Sequence, residues 1–350
     1  MALGGKTGVE FSADGASWTP ETLPFHVSKD HGITLGAGPS ALATDGREVV
    51  VVGGYDHGPC TPTPGLTGGG PECPSSPISW TSTDGRSWHS SYPWGGPGAP
   101  KGFHQGNDFS NVWAVPTGGF DAAEEFSAGE DTVAGRIYHS SDGSAWTPLP
   151  ASPPPELTGS QAAENWHVAL ADQSGVRLVA SYWYANGGDS DARMFSSSPD
   201  GSRWTLVSSF AGKEVSVDAG VAPVPGRAEL WIVGGEDDAS MPTVWTSTDL
   251  ASWTPIRLPV AAPATGGSIS AIAATTDGYL AVGEVSAPDG TSVHSSWLSP
   301  DGVDWTELPT PGTSGDDGPD VVADGPAGPI GFEVYNGSEV PPGVWALRGP

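Results

Sequence analysis

Apolar residues along this chain fall in short alternating or clustered runs, not at helical spacing. Segments 268–285, "SISAIAATTDGYLAVGEV", and 216–235, "SVDAGVAPVPGRAELWIVGG", each read as two strands joined by a turn, with Asp-Gly or Pro-Gly at the break. A third kind of run carries an aromatic residue shortly before a Ser: "ISWTS" ending at Ser82, "RIYHS" at Ser140, "RMFSSS" at Ser198, "TVWTS" at Ser247 and "SSWLS" at Ser299. Each leads into an Asp, usually followed by Gly, and then to a Trp. Gly takes positive φ without steric cost, and the Asp carboxylate accepts backbone N–H groups across the turn. The unit therefore predicts a β-hairpin whose Trp plugs the apolar surface beneath it. Leu250 stands where the other copies have Gly15, Gly85, Gly143, Gly201 and Gly302, so its turn is expected to be strained or of another type.

With its first copy the motif occurs six times: Ser12-Asp14-Gly15-Trp18, Ser82-Asp84-Gly85-Trp88, Ser140-Asp142-Gly143-Trp146, Ser198-Asp200-Gly201-Trp204, Ser247-Asp249-Trp253 and Ser299-Asp301-Gly302-Trp305. These copies resemble the Asp boxes (BNR repeats) of sialidase-like β-propellers, over nearly the whole chain. They lack the residue that the family pattern Ser-x-Asp-x-Gly-x-x-Trp has between Asp and Gly. The resemblance implies an all-β fold in which each box forms the turn between the third and fourth strands of a blade, away from any active site. Each boxed Asp is then a turn brace.

Spacing sets the number of blades. From Trp18 to Ser82, Trp88 to Ser140, Trp146 to Ser198, Trp204 to Ser247 and Trp253 to Ser299 the chain runs 64, 52, 52, 43 and 46 positions. Each interval has room for two more strands, which makes a four-stranded blade. After Trp305 one more strand pair follows, around "DVVAD" and "GPIGFEVYN", and then "PPGVWALRGP", whose Val344-Trp345 matches Val244-Trp245. The chain stops where the next box would stand. The expected fold is one domain, residues 1–350: an all-β, six-bladed β-propeller of four-stranded blades, its ring closed by N- and C-terminal strands. Closure removes the open edges a linear array would expose. Seven blades, with a separate N-terminal hairpin, are the alternative.

Composition agrees and narrows the partners. With 51 Gly, 35 Pro and 15 Trp, the chain is rich in turn formers and large apolar anchors, and almost no helix is expected. A net charge of −28 repels a phosphate backbone and an anionic bilayer, so neither nucleic acid nor membrane insertion is expected. No apolar stretch is long enough to span a membrane, and the first residues do not read as a signal peptide. Cys60 and Cys73, the only cysteines, flank a Pro/Gly segment with no apolar core of its own. A disulfide closing that loop is the expectation, hence an extracellular protein; the competing readings are two free thiols, or a zinc site completed by His57 and Glu72.

The lengthened intervals place their extra residues in the connections from second to third and from fourth to first strands, which share one face of a propeller. The insertions are residues 26–40, 56–77, 91–109 and 182–191. Loops on a rigid scaffold are where recognition concentrates. From them come the candidate ligand-binding residues: Tyr92, Trp94, Trp183 and Tyr184 as aromatic platforms, and His104, Asp108, Asn186 and Asp189 as short polar groups suited to hydroxyls. Toward the axis, Asn111, Glu164, Asn165, Glu214, Asp218 and Asp320 make an acidic rim where Ca²⁺ is the one cofactor considered; a solvated rim is the plainer reading. No catalytic residue is assigned. A sialidase needs an arginine cluster, a Tyr nucleophile with a Glu partner and an acid/base Asp, and here no Arg enters an innermost strand. The expected function is therefore a secreted, non-enzymatic, lectin-like binder of glycans or cell-surface glycoconjugates, with a role as the recognition subunit of a larger secreted assembly of protein subunits as one form of it. The alternatives are a sialidase-like glycoside hydrolase and a purely structural docking propeller.

Overall fold

Among the described residues every regular element is a strand, every pairing is antiparallel, and there is no helix. The computed structural model describes the chain outside residues 1, 5–7, 12–18, 26–27, 31–32, 57–74, 93–107, 128–132, 152–162, 185–188, 214, 225, 228, 261–262, 309–320, 326–327, 333–343 and 347–350. At the N-terminus β1 (Ala2–Gly4), β2 (Gly8–Phe11) and β3 (Thr19–Thr22) form one sheet, and β4 (Ser28–Asp30) and β5 (Ile33–Leu35) a small hairpin. Five four-stranded sheets follow. Blade one is β6 (Ala37–Thr44), β7 (Val49–Asp56), β8 (Ser75–Ser82) and β9 (His89–Ser91). Blade two is β10 (Asp108–Ala114), β11 (Phe120–Ser127), β12 (Val133–Ser140) and β13 (Thr147–Pro148). Blade three is β14 (Ala163–Ala171), β15 (Arg177–Tyr184), β16 (Asp189–Ser197) and β17 (Trp204–Lys213). Blade four is β18 (Ser216–Val221), β19 (Trp231–Glu236), β20 (Pro242–Ser247) and β21 (Thr254–Arg257). Blade five is β22 (Gly266–Thr275), β23 (Gly278–Ser286), β24 (Ser292–Ser299) and β25 (Thr306–Glu307). The last sheet is β26 (Val321–Gly325), β27 (Gly328–Phe332) and β28 (Val344–Ala346).

This is the all-β propeller the repeats predict, with the strand pairs at 216–235 and 268–285 where the apolar pattern puts them. The sector between blades five and one is built by the chain ends, β26 touching β22 and β1 touching β6. It holds six strands where four were expected. β3 follows the first motif and pairs with β2, while β28 pairs with β27, so each terminal sheet contributes three strands of its own. Much of the expected loop 26–40 is also ordered as the β4–β5 hairpin and the start of β6.

The motif turns are braced as their chemistry requires. In the second copy Ser82 Oγ accepts the Gly85 N–H at 2.8 Å, and Asp84 Oδ1 accepts those of Arg86 and Ser87 at 2.8 and 2.6 Å. Those N–H groups hold the Asp84 carboxyl well below the usual carboxylate range. Gly85, Gly143, Gly201 and Gly302 all have φ near +70 to +80°. Leu250 makes the same turn at φ 60°, with its N–H on Ser247 Oγ at 2.9 Å, so the turn is of the common type and strained.

Blade-to-blade packing makes the core. A Cβ on Gly143 would come 2.3 Å from Val50, and one on Gly302 2.7 Å from Ile232 and Leu230, so these turns lie flush on the preceding blade. Indole N–H groups reach back in the same way: Trp80 to Pro24 O at 2.6 Å, Trp146 to Ser79 Oγ at 3.1 Å, Trp204 to Ala151 O at 3.0 Å and Trp297 to Pro259 O at 2.6 Å. Blades two and three share a buried ion pair. Asp121, fully buried on β11, receives the Arg177 Nε–H from β15, and His139 Nδ1 lies 2.7 Å from its other oxygen. One feature gives no sequence signal: all five first strands carry a β-bulge against their second strand, at Ser40, Ser110, Glu164, Asp218 and Ser270.

Candidate functional site

The second strands end, and the first and third begin, on the face that carries the insertions. At that face of blades one and two lie the end of β7 (Tyr55, Asp56), the start of β8 (Ser75), the residue after β9 (Tyr92) and the start of β10 (Asp108), with Glu124 further along β11. Tyr92 packs edge-on against Tyr55, with ring centroids 5.4 Å apart at 76°. It is half-buried and joins the blade-one cluster around Trp80 and Trp88.

Asp108 lies directly over Gly54. A Cβ there would stand 2.3–2.5 Å from the carboxyl atoms, so only glycine admits this arrangement. Burial pushes the Asp108 carboxyl above its ordinary value, and the charge of Asp56 adds to the shift. The hydrogen bond with Ser75 pulls the other way. Asp108 Oδ1 has no hydrogen-bond partner.

Glu124 is a second such group. It is 1 % exposed, and its Oε2 accepts the Tyr138 hydroxyl at 2.5 Å. Tyr138 pairs with Ala122 in the β11–β12 register, which puts its ring diagonally beside Glu124 on the same side of the sheet. Burial raises the Glu124 carboxyl and Asp108 raises it further, against the hydrogen bond from Tyr138 and the charge of Arg136. Glu124 Oε1 is unpartnered. Burial and Glu124 together push the Tyr138 phenol up. The edge therefore carries two neighbouring carboxyls that burial shifts above their ordinary values, on the side of blade one facing blade two.

Of the eight expected contact residues, Tyr92 and Asp108 both lie at this edge, on opposite sides of the blade-one sheet. Trp183 and Tyr184 end β15 and Asp189 begins β16, at the same face of blade three, with Trp183 opposite Asp191 and Tyr184 opposite Ser190. The side chains of these three lie outside what is described. Trp94, His104 and Asn186 lie outside the described residues, as do Cys60 and Cys73. Of the acidic rim, Glu164 and Asp218 sit at the bulges of β14 and β18, and Asn111 Oδ1 accepts the Val112 N–H at 2.8 Å. Glu214 and Asp320 lie outside the described residues, and so do the side chains of Glu164 and Asn165. Among the described residues no group of three or more His, Cys, Asp or Glu is placed to hold a metal ion. Sequence reasoning missed Glu124 and Tyr138. The available signal was the alternation in "FDAAEEFS", which puts Glu124 on the same side as Ala122.

No family model matches the chain, and no curated protein is detectably similar to it. Solved structures share its fold. A protein of unknown function from Dyadobacter fermentans DSM 18053 superposes with a TM-score of 0.51 at 15% identity, over 89% of this chain and 94% of that one. The Aleuria aurantia lectin, in complex with α-methyl-L-fucoside, gives 0.45 at 16% identity over 87% and 93% of the two chains. The Hadza microbial sialidase Hz136 gives 0.45 at 14% identity, over 81% of this chain and 60% of that one.

Proposed function

We propose that this propeller is a secreted glycan-binding protein that holds its ligand on the face carrying the inserted loops and releases it unchanged. The observation that carries the reading is the edge of blades one and two. There the Tyr92–Tyr55 pair, on one side of the blade-one sheet, and the Asp108 carboxyl, on the side facing blade two, stand where the 57–74 and 93–107 insertions join the scaffold. Aromatic rings and short acceptors offered at one face of the propeller suit a sugar ring, whose C–H face stacks while its hydroxyls donate. On this reading Trp94, Trp183, Tyr184, His104, Asn186 and Asp189 extend the surface from the loops. Cys60 and Cys73 form a disulfide in an extracellular protein, and a larger secreted assembly is the natural setting.

Hydrolysis is the second reading, favoured by one observation: burial shifts both Asp108 and Glu124 upward, the direction that suits a general acid. Against it, Glu124 and its partner Tyr138 are each 1 % exposed and turned into the interblade core. A glycan array probed with the intact protein and with a Trp94→Ala/Trp183→Ala double variant tests the choice. Selective binding lost in the variant supports the binder. Free sugar released from a bound glycan refutes the non-enzymatic reading, and no glycan bound together with a co-purifying protein subunit favours a docking role.

A further inference from the structure

The opposite face holds a different opening. Between blades three and four, the turns after β14 and β18 and the motif turn of blade four enclose a cavity of about 480 Å³. That is a normal size for a small-molecule site. Gly143, Gly201 and Gly302 lie so close to the preceding blade that an added Cβ would come within 2.3, 3.0 and 2.7 Å of it. At the equivalent place blade four carries Leu250 at φ 60°, 9 % exposed, with the cavity beside it. A strained residue that costs stability and coincides with a void is an arrangement found at binding sites.

The chemistry of the wall is anionic and aromatic. Asp172 Oδ1 accepts the Ser174 and Val176 N–H groups at 2.8 and 3.0 Å, and Asp249 Oδ1 those of Ala251 and Ser252 at 2.9 and 2.8 Å. Among the described residues Oδ2 of neither takes a hydrogen bond, and the exposed Glu229 makes no ion pair. The one cation, Arg227, is committed elsewhere. Its guanidinium donates to Gly278 O at 2.6 Å, to Thr276 O at 2.9 Å and to Thr275 O, and lies 5.4 Å over the Tyr279 ring of blade five. Trp231, 4 % exposed, supplies a buried aromatic surface.

We propose that this cavity binds an organic cation on an apolar stem, an alkylammonium of the kind a lysine side chain carries. The ammonium has three N–H donors for the open oxygens of Asp172, Asp249 and Glu229; the Trp231 ring adds cation–π attraction, and Leu250 covers the stem. An anion would meet three carboxylates, and a neutral polyol would leave them unpaired. The proposal stands apart from the glycan reading, since it uses the other face and another chemistry.

The test is calorimetry and saturation-transfer NMR at low ionic strength with 1,5-diaminopentane, with 1,5-pentanediol as its neutral counterpart. The diamine is expected to bind saturably at one site and the diol not. Glu229→Gln should weaken the diamine about two- to fivefold. Gln173→Trp, which puts a ring into the cavity from an exposed turn, should abolish saturable binding while leaving the circular dichroism melt in place. Asp45→Asn removes an exposed carboxylate from the β6–β7 turn of blade one, outside the cavity lining, and should change nothing. Absence of saturable diamine binding, equal binding of the diol, or equal weakening by Asp45→Asn and Glu229→Gln would each overturn the proposal. The last outcome would mean only general attraction to an acidic chain. If Gln173→Trp does not fold, the comparison of Glu229→Gln with Asp45→Asn decides alone.

Discussion

Asp121 and Glu124 are three residues apart on β11, both essentially inaccessible, and their surroundings treat them oppositely. The odd position points toward blade three and meets Arg177, so a charge there is paired and helps join two blades. The even position points toward blade one and meets the Tyr138 hydroxyl and the nearby carboxyl of Asp108, and burial outweighs the charge of Arg136, so its pKa is raised. The difference teaches that burial alone does not fix the state of a carboxyl; the partner across the blade interface does. The two sides of one strand thus serve two ends of the molecule: a locked interface near the motif turns, and protonatable groups near the loops.

Breaking the paired side should have the largest effect. Asp121→Ala leaves the Arg177 guanidinium buried without its carboxylate and is expected to cost about 3–5 kcal/mol in urea unfolding. A loss under about 1 kcal/mol would mean that Arg177 finds solvent. Gly54→Ala drives a methyl into the Asp108 carboxyl and should cost about 1–3 kcal/mol, with Gly54→Ala/Asp108→Gly recovering part of it. Tyr138→Phe removes the hydrogen bond to Glu124, for about 1–2 kcal/mol, and pushes the Glu124 pKa still higher because that bond lowers it.

The smallest effect is the most diagnostic. Asp108 and Glu124 have folded pKa values above their unfolded ones, so the folded state holds extra protons. The stability this confers is complete below about pH 4 and is lost as pH rises through the raised values. Asp84, Asp142 and Asp301 are shifted down, so their contribution is present above about pH 4 and lost in stronger acid. Chemical denaturation across pH 3–8 should therefore show a maximum in mild acid. Glu124→Gln should flatten only the decline on the alkaline side; an unchanged profile would show that Glu124 titrates normally.

The parts legible in sequence were those set by neighbours along the chain. Ser-x-Asp turns, Asp-Gly steps and strand-length apolar runs fix their own geometry locally, which is why the blades and even the strain at Leu250 could be read. What depends on pairing across strands or blades was hidden. Glu124 becomes a site residue only through Tyr138 on the next strand and Asp108 on the one before. The cavity is lined by turns of blades three and four that lie far apart in sequence, and the five bulges reflect a curvature no single strand announces. The terminal sector was read in outline, but a match between Val344-Trp345 and Val244-Trp245 says nothing about which partner β3 prefers.

The indole bonds between blades all run the same way, from a later Trp to an earlier oxygen: Trp80 to Pro24, Trp146 to Ser79, Trp204 to Ala151, Trp297 to Pro259. A chain leaving the ribosome N-terminus first thus makes each acceptor before the donor that needs it. Blades can dock one upon another during synthesis, each newcomer meeting a finished surface, and only the final sector must wait for the last residues to appear.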